Sequence, residues 1–447
     1  MSTHDQYSGG ENFDLRQVLL RGRVLPLREK LHSFDAFLDD LGRRHQMLCM
    51  REIVSAADRE VTVVDPYTGL PGRMLMFGSN NYLGLANHRV VKERALLAVG
   101  KYGAGIGGPP LLNGMTKLHR ELEERLAALK RCEDAMIFSS GYAANVGLVS
   151  GLLNPRDTMF YDGYSHASFC DGIRLGDVQS YRFPHNDTDG LQAMLAGHDG
   201  KGDRFVGVEG VYSMDGDLAP LDRIVKICRS HDALLMVDDA HGTGVMGPTG
   251  AGTSEHFGLE GAVDIVMGTF SKTFAVTGGF VAASRSIVNY LRFFARSYMF
   301  SASLPPAAIA TVIAGLDVID LEPELLTRLR ENVRYAALGL QALGIDAHPE
   351  AAIIPLRVPA GMDIRRASAE FHRMGVFVNS VEYPAVPVSQ QRFRISLMAT
   401  HTRQDIDRLL AAVEEVWSLC GTGVATEVAT EDRRYRSESS REIGGLQ

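Results

Sequence analysis

The chain has 447 residues, 45% hydrophobic and 22% charged, with a formal net charge of -8, an ordinary globular balance sufficient for two or three domains. The negative charge argues against a protein built as a whole to bind nucleic acid, and no apolar run approaches the ~18 residues that span a bilayer. Five scattered cysteines without metal-ligand spacing and a polar N-terminus without a signal peptide predict a cytoplasmic protein with no metal site.

The first 60 residues are predicted to form an N-terminal helical segment. Residues 1–12 are polar and expected to be disordered, whereas apolar residues recur at helical spacing over 13–55. Part of this segment is basic, through Arg16, Arg21, Arg23, Arg28 and Lys30. Such a run of charge is most often a solvated helix face, and the functional alternative is a docking surface for an anionic partner.

Residues 61–320 show the alternating pattern of a large α/β domain. Two short strands are predicted at 61–64 and 74–77, followed by an amphipathic helix over 116–130. The later predicted strands, separated by helices, cover residues 135–138, 158–161, 205–208, 233–237 and 263–267. This alternation predicts a mostly parallel sheet with helices on both faces, which binds ligands beyond the carboxyl ends of its strands.

A small C-terminal α/β domain is predicted over residues 321–420. A long helical region over 305–343 leads into it. Strands are then expected at 353–358, 376–378 and 392–397, and helices at 364–374 and 405–417. Residues 421–447 are polar and charged and are predicted to be a disordered tail.

Polar residues stand at the ends of five predicted strands: Ser140, His166, Glu209 with Ser213, Asp238 with His241, and Lys272. Any one of them is explained equally well as a helix cap or a surface residue, but five at one edge of a sheet favour a binding site. Lys272 lies in the segment GTFSKTFAVTGG. A lysine amine forms a Schiff base with an aldehyde, and neighbouring hydroxyls bind phosphate, so this segment is typical of a pyridoxal phosphate (PLP) enzyme.

Eight motifs, in the family's own order, resemble those of the α-oxoamine synthases, a family of fold-type I (aspartate aminotransferase-like) PLP enzymes. They are SNNYLGL, SSGYAAN, DGYSHAS, EGVYSMDGD, VDDAHGTGVMG, GTFSKTF, FSASLPP and RFRISLMATHT, and the resemblance covers residues 45–420. It implies a large PLP-binding domain around a mostly parallel seven-stranded sheet, with a small C-terminal α/β domain.

The resemblance also implies a role for each residue around the cofactor ring. Lys272 is expected to hold PLP and to move protons on the substrate α-carbon. Asp238 is expected to pair with the pyridinium nitrogen and His166 to stack on the ring. Ser213 and His241 are expected to hydrogen-bond the ring hydroxyl. Catalysis is thus assigned to Lys272, His166, Asp238 and His241.

The remaining assignments concern the phosphate and the substrate. Ser140, Gly141, Tyr142 and Thr269 resemble the family's phosphate cup. Ser301 resembles a phosphate contact that the neighbouring subunit supplies, which implies a homodimer with shared active sites. Asn80 and Arg394 resemble the groups that hold the substrate carboxylate, a task that suits the planar fork of arginine.

The implied reaction is a decarboxylative Claisen condensation. A small α-amino acid (serine, glycine or alanine) and an acyl thioester of coenzyme A or a carrier protein give an α-amino ketone, CO2 and free thiol. The chain looks closest to the bacterial serine palmitoyltransferase-like branch. The alternatives are a glycine C-acetyltransferase-like or aminooxononanoate synthase-like acyltransferase, and less favoured, an aminotransferase. Glu382 stands where some sphingolipid-type relatives carry an arginine, which leaves the substrates open.

Overall fold

The structure is a computed structural model that describes residues 22, 24–383 and 385–420. The predicted disordered segments, Arg16, Arg21 and Arg23 lie outside the described residues. Helix α1 covers Leu27–Arg43, inside the predicted helical segment. The prediction that the helix reaches residue 55 is wrong. His45 and Met50 adopt positive φ angles of 56° and 54°, which a continuous right-handed helix does not allow.

A seven-stranded sheet forms the centre of the large domain. Its strands are β3 (Asp134–Phe138), β4 (Thr158–Asp162), β5 (Gln179–Phe183), β6 (Arg204–Glu209), β7 (Ala233–Asp238), β8 (Ile265–Thr269) and β9 (Gly279–Ala283). Their spatial order is β3-β9-β8-β7-β6-β4-β5. The sheet is mostly parallel, and β9 pairs antiparallel with both β3 and β8. The prediction of a mostly parallel seven-stranded sheet is therefore confirmed.

Helices cover both faces of this sheet because its central strands are apolar on both sides. In β7, Met236 packs in one hydrophobic cluster while its neighbours Leu235 and Val237 pack in another. The first cluster contains side chains of α4 (Gly141–Leu152), α5 (Ala167–Gly176) and α9 (Arg285–Phe294). The second contains side chains of α6 (Thr188–Gly197) and α7 (Leu221–Ser230). Such two-sided burial is typical of parallel sheets.

The remaining helices of this region are α2 (Arg89–Tyr102), α3 (Lys117–Lys130), α8 (Thr253–His256) and α10 (Arg296–Met299). The helical region predicted over 305–343 is confirmed and consists of two helices, α11 (Pro306–Leu321) and α12 (Glu324–Ala342). Glu322 and Pro323 separate them, since proline cannot continue the hydrogen bonding of a helix.

The C-terminal region contains β10 (Ile353–Arg357), α13 (Ile364–Arg373), β11 (Val376–Phe377), β12 (Asn379–Val381), β13 (Arg392–Ser396) and α14 (Arg403–Cys420). Strands β10, β13 and β12 form an antiparallel sheet. Strand β11 instead joins the early strands β1 (Glu60–Val64) and β2 (Pro71–Met76), pairing parallel with β2. Among the described helices, none is long and apolar enough to cross a membrane.

Candidate active site

Lys272 lies in the turn that follows β8, with its amine inside the site. Burial lowers the pKa of Lys272 to about 8, Asp238 and Glu209 oppose this shift, and Arg394 adds to it. A lysine with this pKa is partly neutral at physiological pH, and the neutral amine is the form that attacks an aldehyde. The charges that act on Lys272 come from three different strands: Glu209 of β6, Asp238 of β7 and Arg394 of β13.

Asp238 ends β7 and is held by two donors. Asn145 Nδ2, on α4, donates to Asp238 Oδ2 (2.8 Å), and the Ala240 N–H donates to Oδ1 (3.1 Å). Asn145 Nδ2 also donates to Ser168 Oγ at 2.9 Å. Ser168 Oγ in turn lies 2.7 Å from His166 Nδ1. A chain of side chains thus connects the predicted residues Asp238 and His166 through Asn145 and Ser168, two residues that were not predicted.

The His166 ring is neutral in this setting. Burial lowers the pKa of His166, Asp238 opposes the shift and Lys272 adds to it. The Ser168 N–H points at His166 Nδ1 at 3.2 Å, so that nitrogen is an acceptor and the proton of the neutral ring is on Nε2. His166 caps the start of α5, and this position fixes its ring beside the carboxyl ends of the strands.

A second network, whose charge also acts on Lys272, centres on Arg394 of β13. Its Nη1 donates to Asn80 Oδ1 (2.8 Å), and its Nε donates to the Ser213 carbonyl (2.6 Å). Its Nη2 lies 3.5 Å from the Tyr82 hydroxyl, which is 2.7 Å from His241 Nδ1. The structure therefore brings together four predicted site residues from four separate motifs, Asn80, Ser213, His241 and Arg394, and adds the unpredicted Tyr82.

Tyr82 and His241 are both fully enclosed by protein. Burial lowers the pKa of His241 well below its usual value, and the charges of Lys272 and Arg394 lower it further. Burial also raises the pKa of Tyr82, against the influence of Arg394. Both side chains are neutral at physiological pH, so their 2.7 Å contact is a hydrogen bond between neutral partners.

The residues predicted to form the phosphate cup lie where α4 begins against the end of β8. Ser140 Oγ accepts from the Ala143 N–H at 3.0 Å and caps the helix. A Cβ added to Gly141 would lie 2.9 Å from Thr269 Cβ, and one added to Gly279 would lie 2.7 Å from Gly141 N. Only glycine therefore allows this close approach. The Gly141 and Tyr142 N–H groups belong to the first helical turn, which has no intrahelical acceptors and is suited to an anion.

Ser301 follows α10 and is not joined by a hydrogen bond to the other predicted site residues within the described part of the chain. Its backbone N–H donates to Tyr298, and its side chain lines a small crevice with Pro110, Met115 and Ser139. The role predicted for Ser301 is a contact to the phosphate in the neighbouring subunit's site, and it stays a prediction.

Two further acidic residues have partners away from Lys272. Asp239 accepts from Lys130 Nζ (2.7 Å) and from the Thr253 hydroxyl (2.7 Å), so both its partners are structural. Glu382 pairs with Arg365 at 2.9 Å. That ion pair gives Glu382 a local partner at the position where some relatives carry an arginine.

Comparison with known proteins places this geometry in a family. The aminotransferase class I and II family model matches residues 73–413. A serine palmitoyltransferase of Bacteriovorax stolpii is 42% identical over 77% of this chain and 82% of its own length. An 8-amino-7-oxononanoate synthase of Geobacter sulfurreducens is 44% identical over 77% and 88%. A structure of the S. paucimobilis serine palmitoyltransferase with a bound PLP–myriocin aldimine has 30% identity and a TM-score of 0.83, covering 89% of this chain and 100% of that one.

Proposed function

We propose that this chain, which belongs to the α-oxoamine synthases within the aminotransferase class I and II family, is a PLP-dependent acyltransferase. It condenses a small α-amino acid with an acyl thioester and releases CO2 and free thiol. The observation that carries this proposal is the buried Lys272 amine, which feels the charges of two networks, one built on Asp238 and the other on Arg394.

The described residues fit PLP in three ways. Lys272 offers a partly neutral amine for the aldehyde, and the start of α4 offers N–H groups for the phosphate. Two buried side-chain atoms near Asp238 have no hydrogen-bond partner among the described residues, Asn145 Oδ1 and Glu209 Oε1. Such orphaned atoms are expected where a bound group completes a site. When bound, PLP supplies an electron sink for the substrate α-carbon.

Asp238 and Lys272 act on that chemistry through protons. Asp238 is the carboxylate that would hold a proton on the cofactor's ring nitrogen, because an adjacent negative charge raises the pKa of a base. Asn145 and the Ala240 N–H orient Asp238 for this task. Lys272 is the base that would remove and return the proton at the substrate α-carbon.

Arg394 and Asn80 bind the substrate carboxylate in this proposal. The Ser213 carbonyl, Asn80 and Ser396 already hold the Arg394 guanidinium in place, so little conformational freedom is lost when it meets a carboxylate. With both carboxylate and nitrogen fixed, the substrate side chain is the variable part. One methylene changes selectivity by only ~1–3 kcal/mol, so we propose serine first and glycine or alanine next.

The acyl donor is proposed to be a medium- or long-chain thioester. The segment 103–114 carries apolar side chains toward solvent, and Leu112 is 81% exposed. This surface suits an acyl chain that leaves the site along the glycine-rich segment. A serine palmitoyltransferase-like activity is the first proposal, and glycine C-acetyltransferase-like or aminooxononanoate synthase-like activities are the alternatives.

We propose that the protein is a homodimer with shared sites. Tyr290, Phe293, Phe294 and Phe300 all expose large apolar rings, and Phe300, next to Ser301, is 70% exposed. A cluster of exposed aromatic residues is typical of a protein–protein interface. We also propose a cytoplasmic location, which the five unpaired cysteines support.

In the deciding experiment, single amino acids are added to the purified protein, followed by thioesters of increasing chain length. The CO2 and free thiol released are then measured. We expect serine with a long-chain thioester to release both in equal amounts. The runner-up, an aminotransferase, predicts amino transfer to a keto acid without thiol release. That result for every amino acid would overturn both the class and the substrates.

A further inference from the structure

Three carboxyl groups stand at the ends of neighbouring strands beside the proposed cofactor site. Asp162 ends β4, Glu209 ends β6 and Asp238 ends β7. Glu209 and Asp238 occupy paired positions in the register of β6 and β7, so their side chains leave adjacent strands at the same level. Three negative charges this close in a buried place are unfavourable unless each has compensation or one is neutral.

Asp162 and Asp238 each have compensation. Asp162 accepts from His185 Nδ1 (3.0 Å), the Asn186 N–H (2.8 Å) and the Tyr164 N–H (2.7 Å). His185 also bridges to Asp217, and these two carboxylates raise the pKa of His185 to about 9 against the effect of burial. His185 is therefore a cation at neutral pH and balances its neighbours.

The two oxygens of Asp238 accept hydrogen bonds from Asn145 and the Ala240 N–H. Its negative charge also interacts with the Lys272 amine, in the turn that follows β8. It is the carboxylate that the proposed function needs in its charged form.

Glu209 is the least compensated of the three. Its side chain is 4% exposed, and its Oε2 accepts one hydrogen bond, from the Ser213 N–H at 3.2 Å. Its Oε1 is buried and has no partner among the described residues. Burial, Asp238 and Asp162 raise the pKa of Glu209 well above its usual value, while Lys272 and the Ser213 N–H oppose the shift. The phenol of Tyr212 also lies beside this carboxyl group.

The one hydrogen bond that the Glu209 side chain makes among the described residues connects it, through Ser213, to the arginine proposed to bind the substrate. Ser213 gives its N–H to Glu209 Oε2 and its carbonyl to Arg394 Nε, at 3.2 and 2.6 Å. Glu209 therefore accepts a hydrogen bond from the backbone at Ser213, and Ser213 itself accepts one from the Arg394 guanidinium. A change in Glu209 would reach Arg394 through one residue, without touching Arg394 directly.

We propose that Glu209 is a positioning residue that works as a neutral carboxylic acid: Oε2 holds Ser213, Ser213 holds Arg394, and the proton on Oε1 is left for an acceptor oxygen of the bound amino acid. The role in substrate binding rests on the proposed function, whereas the protonation state does not. Glutamine reproduces this arrangement, since its amide oxygen accepts from Ser213 and its NH2 group donates in place of the acid proton.

The protonation state is tested by melting temperatures of the holoprotein and of Glu209→Gln between pH 5 and 8. A carboxyl whose folded pKa is raised stabilises the fold fully below its unfolded pKa, and this contribution is lost as pH rises through the folded pKa. Glutamine cannot titrate, so we expect the Glu209→Gln melting temperature to gain on the wild type as pH rises. A deficit that stays constant over this range would mean an ionised, paired Glu209 and would overturn the proposal.

The positioning role is tested by amino-acid KM and kcat for Glu209→Gln and Glu209→Leu. Leucine cannot hold Ser213 or donate, so we expect its KM to rise on the order of tenfold, as for a lost hydrogen bond to a charged group, while glutamine keeps the wild-type KM. Equal KM values for the two variants would overturn the role. If the leucine variant does not fold, a raised KM in Glu209→Gln itself overturns it.

Glu350→Gln is the matched control. Glu350 is an exposed glutamate whose Oε2 also accepts from one backbone N–H, that of Leu218, at 3.0 Å. We expect this substitution to leave the amino-acid KM and the pH dependence of the melting temperature unchanged. If no thioester reaction is found with any amino acid, the proposed function fails, and the melting-temperature series still decides the protonation state of Glu209.

Discussion

At the scale of single residues, the proposed chemistry depends most on the charge of Asp238. Asp238→Asn keeps the size of the side chain but offers one acceptor oxygen in place of two, so it accepts from either Asn145 or the Ala240 N–H. It removes the negative charge that would keep a proton on the ring nitrogen, so the electron sink weakens. We expect cofactor binding to survive and kcat to fall by about a hundredfold to a thousandfold, the usual cost of losing one preorganised electrostatic group. Near-normal turnover by a cofactor-loaded variant would contradict the role.

Lys272 gives a prediction about pH. Its pKa of about 8 lies below the ordinary 10.5, so its amine is mostly protonated at pH 7 and mostly neutral at pH 9. Only the neutral amine adds to an aldehyde, so covalent attachment of PLP to the cofactor-free protein should accelerate with pH, with a midpoint near pH 8, and level off above about pH 9. Absorption in the visible region follows this reaction, and Lys272→Ala should show none of it.

Asp238→Asn is the informative control, because Asp238 raises the pKa of Lys272 and its neutralisation should move the midpoint to lower pH. A midpoint near 10.5 in the wild-type protein would show that burial does not perturb this lysine.

The predicted site residues came from motifs rather than from strand ends alone, and this explains which residues were missed. Tyr82, Asn145 and Ser168 lie in SNNYLGL, SSGYAAN and DGYSHAS, the same motifs that carry Asn80, Ser140 and His166. A signal was therefore present. Their roles depend on distances between residues such as Asn145 and Asp238, 93 positions apart, which a linear pattern does not contain.

At the scale of elements, a buried ion pair joins α3 to the segment that follows β7. Lys130 Nζ lies 2.7 Å from Asp239 Oδ2, and the two side chains are 3% and 2% exposed. Lys130→Met would leave the Asp239 carboxylate buried without its cation. Removing one partner of a buried pair costs about 3–5 kcal/mol, so we expect a marked fall in thermal stability.

The matched control for this pair is Arg89→Met on α2. Arg89 pairs with Glu93 at 3.1 Å, but both side chains are largely exposed, at 82% and 55%. Exposed pairs contribute only ~0.2–1 kcal/mol, so melting should hardly change. Equal melting temperatures for the two variants would mean that the Lys130–Asp239 pair contributes no more than a surface pair.

The elements that were not predicted share a physical cause. Strand β5 is an edge strand whose residues are mostly exposed, so it lacks the apolar run that marked its neighbours. Strand β9 begins at the second of two successive glycines and is built partly of small residues. The break between α11 and α12 did have a signal, since Pro323 interrupts the helical pattern.

At the scale of the whole molecule, the central sheet could be predicted from the alternation of strands and helices. The pairing of strands that lie far apart in the sequence could not. Strand β11 joins β2 across about three hundred residues, with Val376 opposite Leu75. Both strands are short and apolar, and their composition favours many partners equally. The core formed where α11, α12 and the C-terminal sheet meet selects one of them.

The last prediction concerns the assembly. If Ser301 contributes to the neighbouring subunit's phosphate cup, Ser301→Asp places a negative charge against that phosphate and inactivates the partner's site, whereas Lys272→Ala inactivates its own. In re-formed mixtures of the two, half of the dimers are hybrids, and one site in each hybrid carries neither change. We therefore expect about a quarter of the wild-type activity to return. A mixture of Lys272→Ala with Asp238→Asn, both acting within their own subunit, leaves no intact site and should recover nothing. Failure of the first mixture despite demonstrated subunit exchange, or a fully active monomer in sedimentation, would refute the shared site.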